Sequence, residues 1–111
     1  MTAAIPFANL ASGPGVIEFE GVGFGSGVSF YITENEPGTG PGLHKHPYPE
    51  TFILQEGNAM FRVDGKDVPA ATGTVIVVPA GTPHRFTNAG PGRLRIISIH
   101  PSSRFQQTDL K

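Results

Sequence analysis

The segment GLHKHPYPETF (42–52) holds two of the chain's four histidines, a glutamate four residues after the second, and two prolines. A strand turns side chains at i and i+2 to one face, so His44 and His46 can present two imidazoles side by side with Lys45 turned away. That is half of a metal site. Glu50 has the same parity, but Pro47 and Pro49 interrupt a strand ladder, so its approach to the histidines depends on the turn they make.

Outward from this segment, 15 glycines and 11 prolines punctuate the chain, and the apolar runs between them are short. VIEFE (16–20) and VSFYIT (28–33) alternate apolar and polar residues and read as half-buried strands; in the second, Val28, Phe30 and Ile32 share a face opposite Ser29, Tyr31 and Thr33. TFILQ (51–55), AMFRV (59–63), TVIVV (74–78), HRFTN (84–88) and LRIISIH (94–100) continue the series. Asp64-Gly65 suits a tight hairpin, because glycine tolerates the positive φ such turns need. Many short strands without helical period imply an all-β domain, a sandwich or a closed barrel. We expect one domain: an N-terminal arm or edge strand over 1–14, a β-barrel over 15–105 and a C-terminal tail over 106–111. The glycine-rich stretches 21–27 and 37–42 lack phosphate-loop signatures and read as turns.

Two spacings are longer than chance readily supplies. Gly38, His44, His46, Glu50 and Gly57 form G-x5-H-x-H-x3-E-x6-G; Gly73, Pro79, Gly81, His84 and Asn88 form G-x5-P-x-G-x2-H-x3-N. Together they resemble the two motifs of the cupin superfamily, over 38–88. The resemblance implies a double-stranded β-helix, or jelly-roll barrel, in which His44, His46, Glu50 and His84 are metal ligands. It also implies a homodimer, which suits a chain of 111 residues with a small core. Three neutral imidazoles and a carboxylate suit a divalent transition metal such as Fe, Mn, Ni, Co or Zn, and suit calcium or magnesium poorly. Binding is expected to weaken as pH falls through roughly 6.5, as protons compete for the imidazoles.

Glu50 has two readings, as a ligand or as a general base beside the metal; His44, His46 and His84 stand against the plain alternative of surface or hydrogen-bonded loop histidines. Phe52, Leu54 and Phe86 share parity with site residues and are expected to line the pocket; barrel core is the compatible plain reading. Phe61 and Val63 are expected in the core, Gln55 and Arg62 in solvent. His100 ends LRIISIH outside both motifs and is expected to meet backbone or solvent.

The 8 basic residues nearly balance 9 acidic ones and are scattered, which leaves no electrostatic footprint for nucleic acid or anionic membrane and favours a small-molecule ligand or substrate. Without cysteine there is no disulfide framework or thiolate nucleophile. The opening residues lack a signal-peptide pattern and no run reaches transmembrane length, so a cytoplasmic protein is expected. The functional readings are a metal-dependent enzyme acting on a small organic molecule, with a dioxygenase-like reaction placed ahead of an isomerase or lyase, or a cupin that binds or senses a ligand without turnover. A structural role without metal stands third.

Overall fold

In the computed structural model, which describes residues 2–111, the apolar runs between glycines and prolines form short strands. In chain order they are β1 (Ala11–Gly13), β2 (Val16–Phe19), β3 (Ser29–Asn35), β4 (His44–Lys45), β5 (Glu50–Glu56), β6 (Asn58–Val63), β7 (Lys66–Ala71), β8 (Val75–Val78), β9 (His84–Asn88), β10 (Leu94–His100) and β11 (Thr108–Asp109). Among the described residues, helix is confined to two 3-10 turns, Phe7–Leu10 and Gly21–Phe24. No helix among them is long and apolar enough to cross a membrane.

The strands pair antiparallel in two sheets, ordered β1-β2-β3-β10-β5-β8 and β11-β4-β9-β6-β7. The chain passes repeatedly from one sheet to the other, which makes the all-β jelly roll that the sequence implied. β1 lies within the expected arm and β11 within the expected tail, each paired to a sheet. β7 was not legible as a strand, because Pro69 interrupts it. It survives at the edge of its sheet, where a missing backbone donor costs no ladder bond. Its hairpin with β6 turns through Asp64 at φ 52° and Gly65 at φ 76°, as the Asp-Gly pair predicts.

The two sheets face each other over a core that includes Phe52, Leu54, Phe61, Phe86, Leu94 and Ile96. Each such side chain contributes about 1.5–3 kcal/mol when fully withdrawn from water. Val63 packs against this cluster, while Gln55 and Arg62 are exposed and Arg62 pairs with Asp67 at 2.8 Å.

β3 departs from the usual arrangement. Its polar residues Tyr31, Thr33 and Asn35 line an interior cavity, and Phe30 and Ile32 point to the outer face of the sheet. That outer face carries two cross-strand rows, Phe19-Phe30-Ile99-Thr51-Val77 and Ile17-Ile32-Ile97-Ile53-Val75. Val75 and Val77 at their ends are 61% and 59% exposed.

One close approach seats the loop before β4. A side chain at Gly40 would collide with the carbonyl of Phe86, so only glycine lets this loop lie against β9. Gly38 N–H donates to Asn88 O at 2.9 Å and Asn88 N–H to Thr39 O at 2.9 Å, which fixes the contact.

Candidate metal centre

The two prolines divide the opening segment into separate strands. β4 ends at Lys45, the chain turns through residues 46–49, and β5 starts at Glu50 on the opposite sheet. His44 lies opposite His84 in the β4–β9 pairing, and His46 follows two positions later on the same face. His44, His46, Glu50 and His84 therefore converge from two sheets, with one donor atom from each lying within 4.8 Å of all the others. All four are buried, at 6%, 3%, 3% and 1% exposure.

The backbone sets the imidazole tautomers. His44 Nδ1 lies 2.7 Å from Gly42 O, His46 Nδ1 2.8 Å from Gln106 O and His84 Nδ1 2.8 Å from Thr82 O. A carbonyl only accepts, so each Nδ1 carries the proton and donates it. In the neutral rings this leaves the Nε2 lone pairs free to face the centre. Glu50 Oε1 lies 3.0 Å from His46 Nε2 and 2.8 Å from His84 Nε2, so a carboxylate oxygen and two ring nitrogens share one buried point. Neutral imidazoles would set lone pairs against a negative oxygen. A proton shared between the carboxyl and an imidazole, or a metal ion, relieves that.

The protonation pattern follows. Burial pushes the Glu50 carboxyl up, but the close approach of His100, His46 and His84, the last through a hydrogen bond, outweighs it and holds the group below the usual carboxylate range. Burial lowers His44. His46 is also lowered by burial, yet its bonds to Glu50 and to the Gln106 carbonyl bring it above the usual value. A divalent ion held by His44, His46, Glu50 and His84 would satisfy these donors together. The donor set fits a divalent transition metal.

The centre opens onto a cavity of about 380 Å³. Phe52 and Phe86 line it, as expected; Leu54 does not and sits in the apolar core, because two residues further along β5 the facing positions are filled by side chains. The opposite wall, Tyr31, Thr33, Asn35 and Ser98, is polar. Burial and a hydrogen bond to Glu18 raise the Tyr31 hydroxyl, so it stays protonated, with its one O–H given to Glu18 and its oxygen left to accept.

His100 overturns its expectation. It is 2% exposed, lines the cavity and places Nε2 3.1 Å from Glu50 Oε2. The signal was its parity with Leu94, Ile96 and Ser98, which puts the strand's last residue on the inward face. Tyr48, also missed, holds its hydroxyl 2.6 Å from His100 Nδ1 and stacks on His46 at 5.2 Å with 5° between planes. Gln106 ties the C-terminal segment in: its carbonyl orients His46, and its N–H donates to the Tyr48 hydroxyl at 3.2 Å.

Comparison with known proteins places this geometry. Residues 31–100 match the family model described as "Cupin domain". The HTH-type transcriptional regulator PuuR of Escherichia coli is 34% identical over 71 residues, 63% of this chain and 38% of that protein. An oxalate-binding protein of Thermotoga maritima is 34% identical over 64 residues, 57% of this chain and 53% of that protein. The chain thus spans about two fifths to one half the length of these relatives. In structure it is similar to oxalate decarboxylase of Lactobacillus farciminis in its formate complex, with a TM-score of 0.79 and 23% identity over 86% of this chain and 30% of that one. That last likeness is one of fold.

Proposed function

The chain belongs to the cupin family, and from that premise we propose that it is a metal-dependent enzyme acting on a small organic molecule. One observation carries the reading: the four-donor centre opens onto a cavity with an apolar side and a polar side, so a ligand can reach the ion while being held along its length. His44, His46 and His84 hold the ion through Nε2 and Glu50 through Oε1. When bound, the ion supplies a Lewis-acidic centre with room for further ligands. Phe52 and Phe86 exclude water from one side. Tyr31, Thr33 and Ser98 orient the substrate's oxygen-bearing groups from the other. Among the described residues no lysine or arginine lines the cavity, which favours an uncharged or singly charged substrate over a dianion.

Oxygen-dependent dioxygenation is placed ahead of isomerisation because the aromatic wall stands next to the donors. In an isomerase Glu50 would move the proton instead. The engagement of both its oxygens, Oε1 by His46 and His84 and Oε2 by His100, favours the ligand role. Untagged protein is analysed for its metals, then loaded with Fe, Mn, Ni, Co or Zn and followed for oxygen uptake and product over phenolic, diketone and sugar substrates. Ligand binding without product under every metal defeats the enzyme. It would establish the second reading, a ligand-binding cupin, which the likeness to an oxalate-binding protein supports.

We further propose a homodimer formed through the outer face of the six-stranded sheet. The two rows cross five strands with only Thr51 interrupting them; Phe24 stacks on Phe19 and Ile32 is buried, but the rows become open to water at Val75 and Val77, and a second copy would cover that end. Light scattering at micromolar concentration is expected to give twice the chain mass, and Val77→Glu to shift it toward the monomer; a monomeric wild type excludes the dimer.

A further inference from the structure

Glu50 is the one proposed ligand with an atom to spare, and what holds that atom decides where the other points. Its Oε2 lies 3.1 Å from His100 Nε2, a buried nitrogen with no other polar partner, in an ion-pair contact rather than an aligned hydrogen bond. A carboxylate only accepts, so Nε2 carries the proton; in a neutral ring Nδ1 is then an acceptor, and the Tyr48 hydroxyl 2.6 Å away must donate to it. Tyr48 in turn accepts from Gln106 N–H at 3.2 Å. The bonds from Gln106 to Tyr48 and from Tyr48 to His100 therefore run in one direction and end in the 3.1 Å charge contact between His100 Nε2 and Glu50 Oε2.

The ring of His100 is also held from its sides. It meets Phe105 edge-on at 5.0 Å and 90°, and Tyr48 at 5.3 Å and 74°. Rotation of the imidazole would break both contacts and withdraw the donor from Oε2. With Oε2 tied, Oε1 is the atom left facing His46 and His84.

The geometry points to His100, backed by Tyr48, as a positioning residue that fixes the Glu50 carboxylate so that a single oxygen is offered to the metal. This deepens the reading above and rests on it. His100 need touch neither ion nor substrate to act in this way; it lies outside the donor group formed by His44, His46, Glu50 and His84. Partners that hold a metal ligand in place typically alter affinity 10–100-fold when removed.

The test titrates metal-free full-length protein with Co(II), reading both the dissociation constant and the visible absorption of the bound ion. His100→Leu, which removes the donor, is expected to weaken Co(II) binding by about 10–100-fold and to shift the absorption as the carboxylate turns. His100→Gln, whose amide can donate to Oε2, is expected to recover most of both. Tyr48→Phe, which keeps the ring and removes only the hydroxyl, is expected to weaken binding by about tenfold, at the lower end of that range. Wild-type affinity and spectrum in His100→Leu overturn the inference while leaving the metal centre intact. If His100→Leu does not fold, unchanged binding and spectrum in Tyr48→Phe overturn it equally. A wild type that takes up no Co(II) defeats the metal reading and this inference together.

Discussion

β5 and β3 are both seven residues long and both pair with β10, one on each side, yet they turn opposite chemistry inward. β5 buries Glu50, Phe52 and Leu54; β3 presents Tyr31, Thr33 and Asn35, all partly accessible through the cavity. Between them β10 changes along its length, with Leu94 and Ile96 in the core and Ser98 and His100 at the cavity. The contrast teaches that one sheet does two jobs. Packing on the β5 side holds the barrel shut, and the unfilled space beside β3 gives a ligand access to the buried donors.

The sharpest way to break this contrast is to truncate a side chain on each strand. Leu54→Ala is expected to cost about 2–5 kcal/mol by opening a void in the filled end, read as a lowered midpoint in urea unfolding. Equal stability in that variant would remove the basis for calling this end the packed one. Next in size, His84→Ala should weaken divalent-metal binding by at least ~100-fold, ~2.8 kcal/mol, with the circular-dichroism spectrum unchanged; calorimetric titration decides it.

The third effect concerns pH. His46 sits above its usual value in the metal-free protein, so its pairing with Glu50 is fully present below the unfolded value of ~6.5 and is lost as pH rises through the raised one. Metal binding needs that proton gone. The rise in melting temperature on adding Mn(II) should therefore be small at pH ~5.5 and grow through and above ~6.5, affinity changing by up to about tenfold per pH unit for each proton displaced. A constant increment over that interval would place the ion away from His46. The smallest effect belongs to Thr33→Ala on the open side, expected to change stability by only about 0.5 kcal/mol because no packed neighbour is lost. A cost matching that of Leu54→Ala would erase the difference between the two strands.

Much of the fold was legible because the two spaced motifs occupy the turns as well as the strands. Gly57 at φ 93°, Gly73 at φ 84° and Gly81 at φ 71° all adopt backbone conformations that favour glycine. The convergence of His44, His46, Glu50 and His84 was legible for the same reason. What lay outside the motifs was harder. Alternation in VSFYIT showed that two faces exist but not which one turns inward, since a cavity reverses the usual rule that apolar residues face the interior. His100 was hidden because a histidine at the end of a strand has many ordinary uses, and only register against β3 and β5 places it beside Glu50. Tyr48 was hidden between two prolines, where no periodicity survives.

The hold of Gln106 on His46 and Tyr48 has a practical consequence for anyone making this protein. Thr108 and Asp109 pair with Lys45 and His44, and Leu110 N–H donates to Leu43 O at 2.9 Å, so the last few residues are stitched to the very strand that carries a candidate ligand. A purification tag fused after Lys111 would emerge beside that strand, where an oligohistidine sequence could compete for the ion and tug at the stitch. A version stopping at Phe105 loses the Gln106 carbonyl that orients His46, and is expected to keep its barrel while binding Co(II) about 10–100-fold more weakly in the same titration.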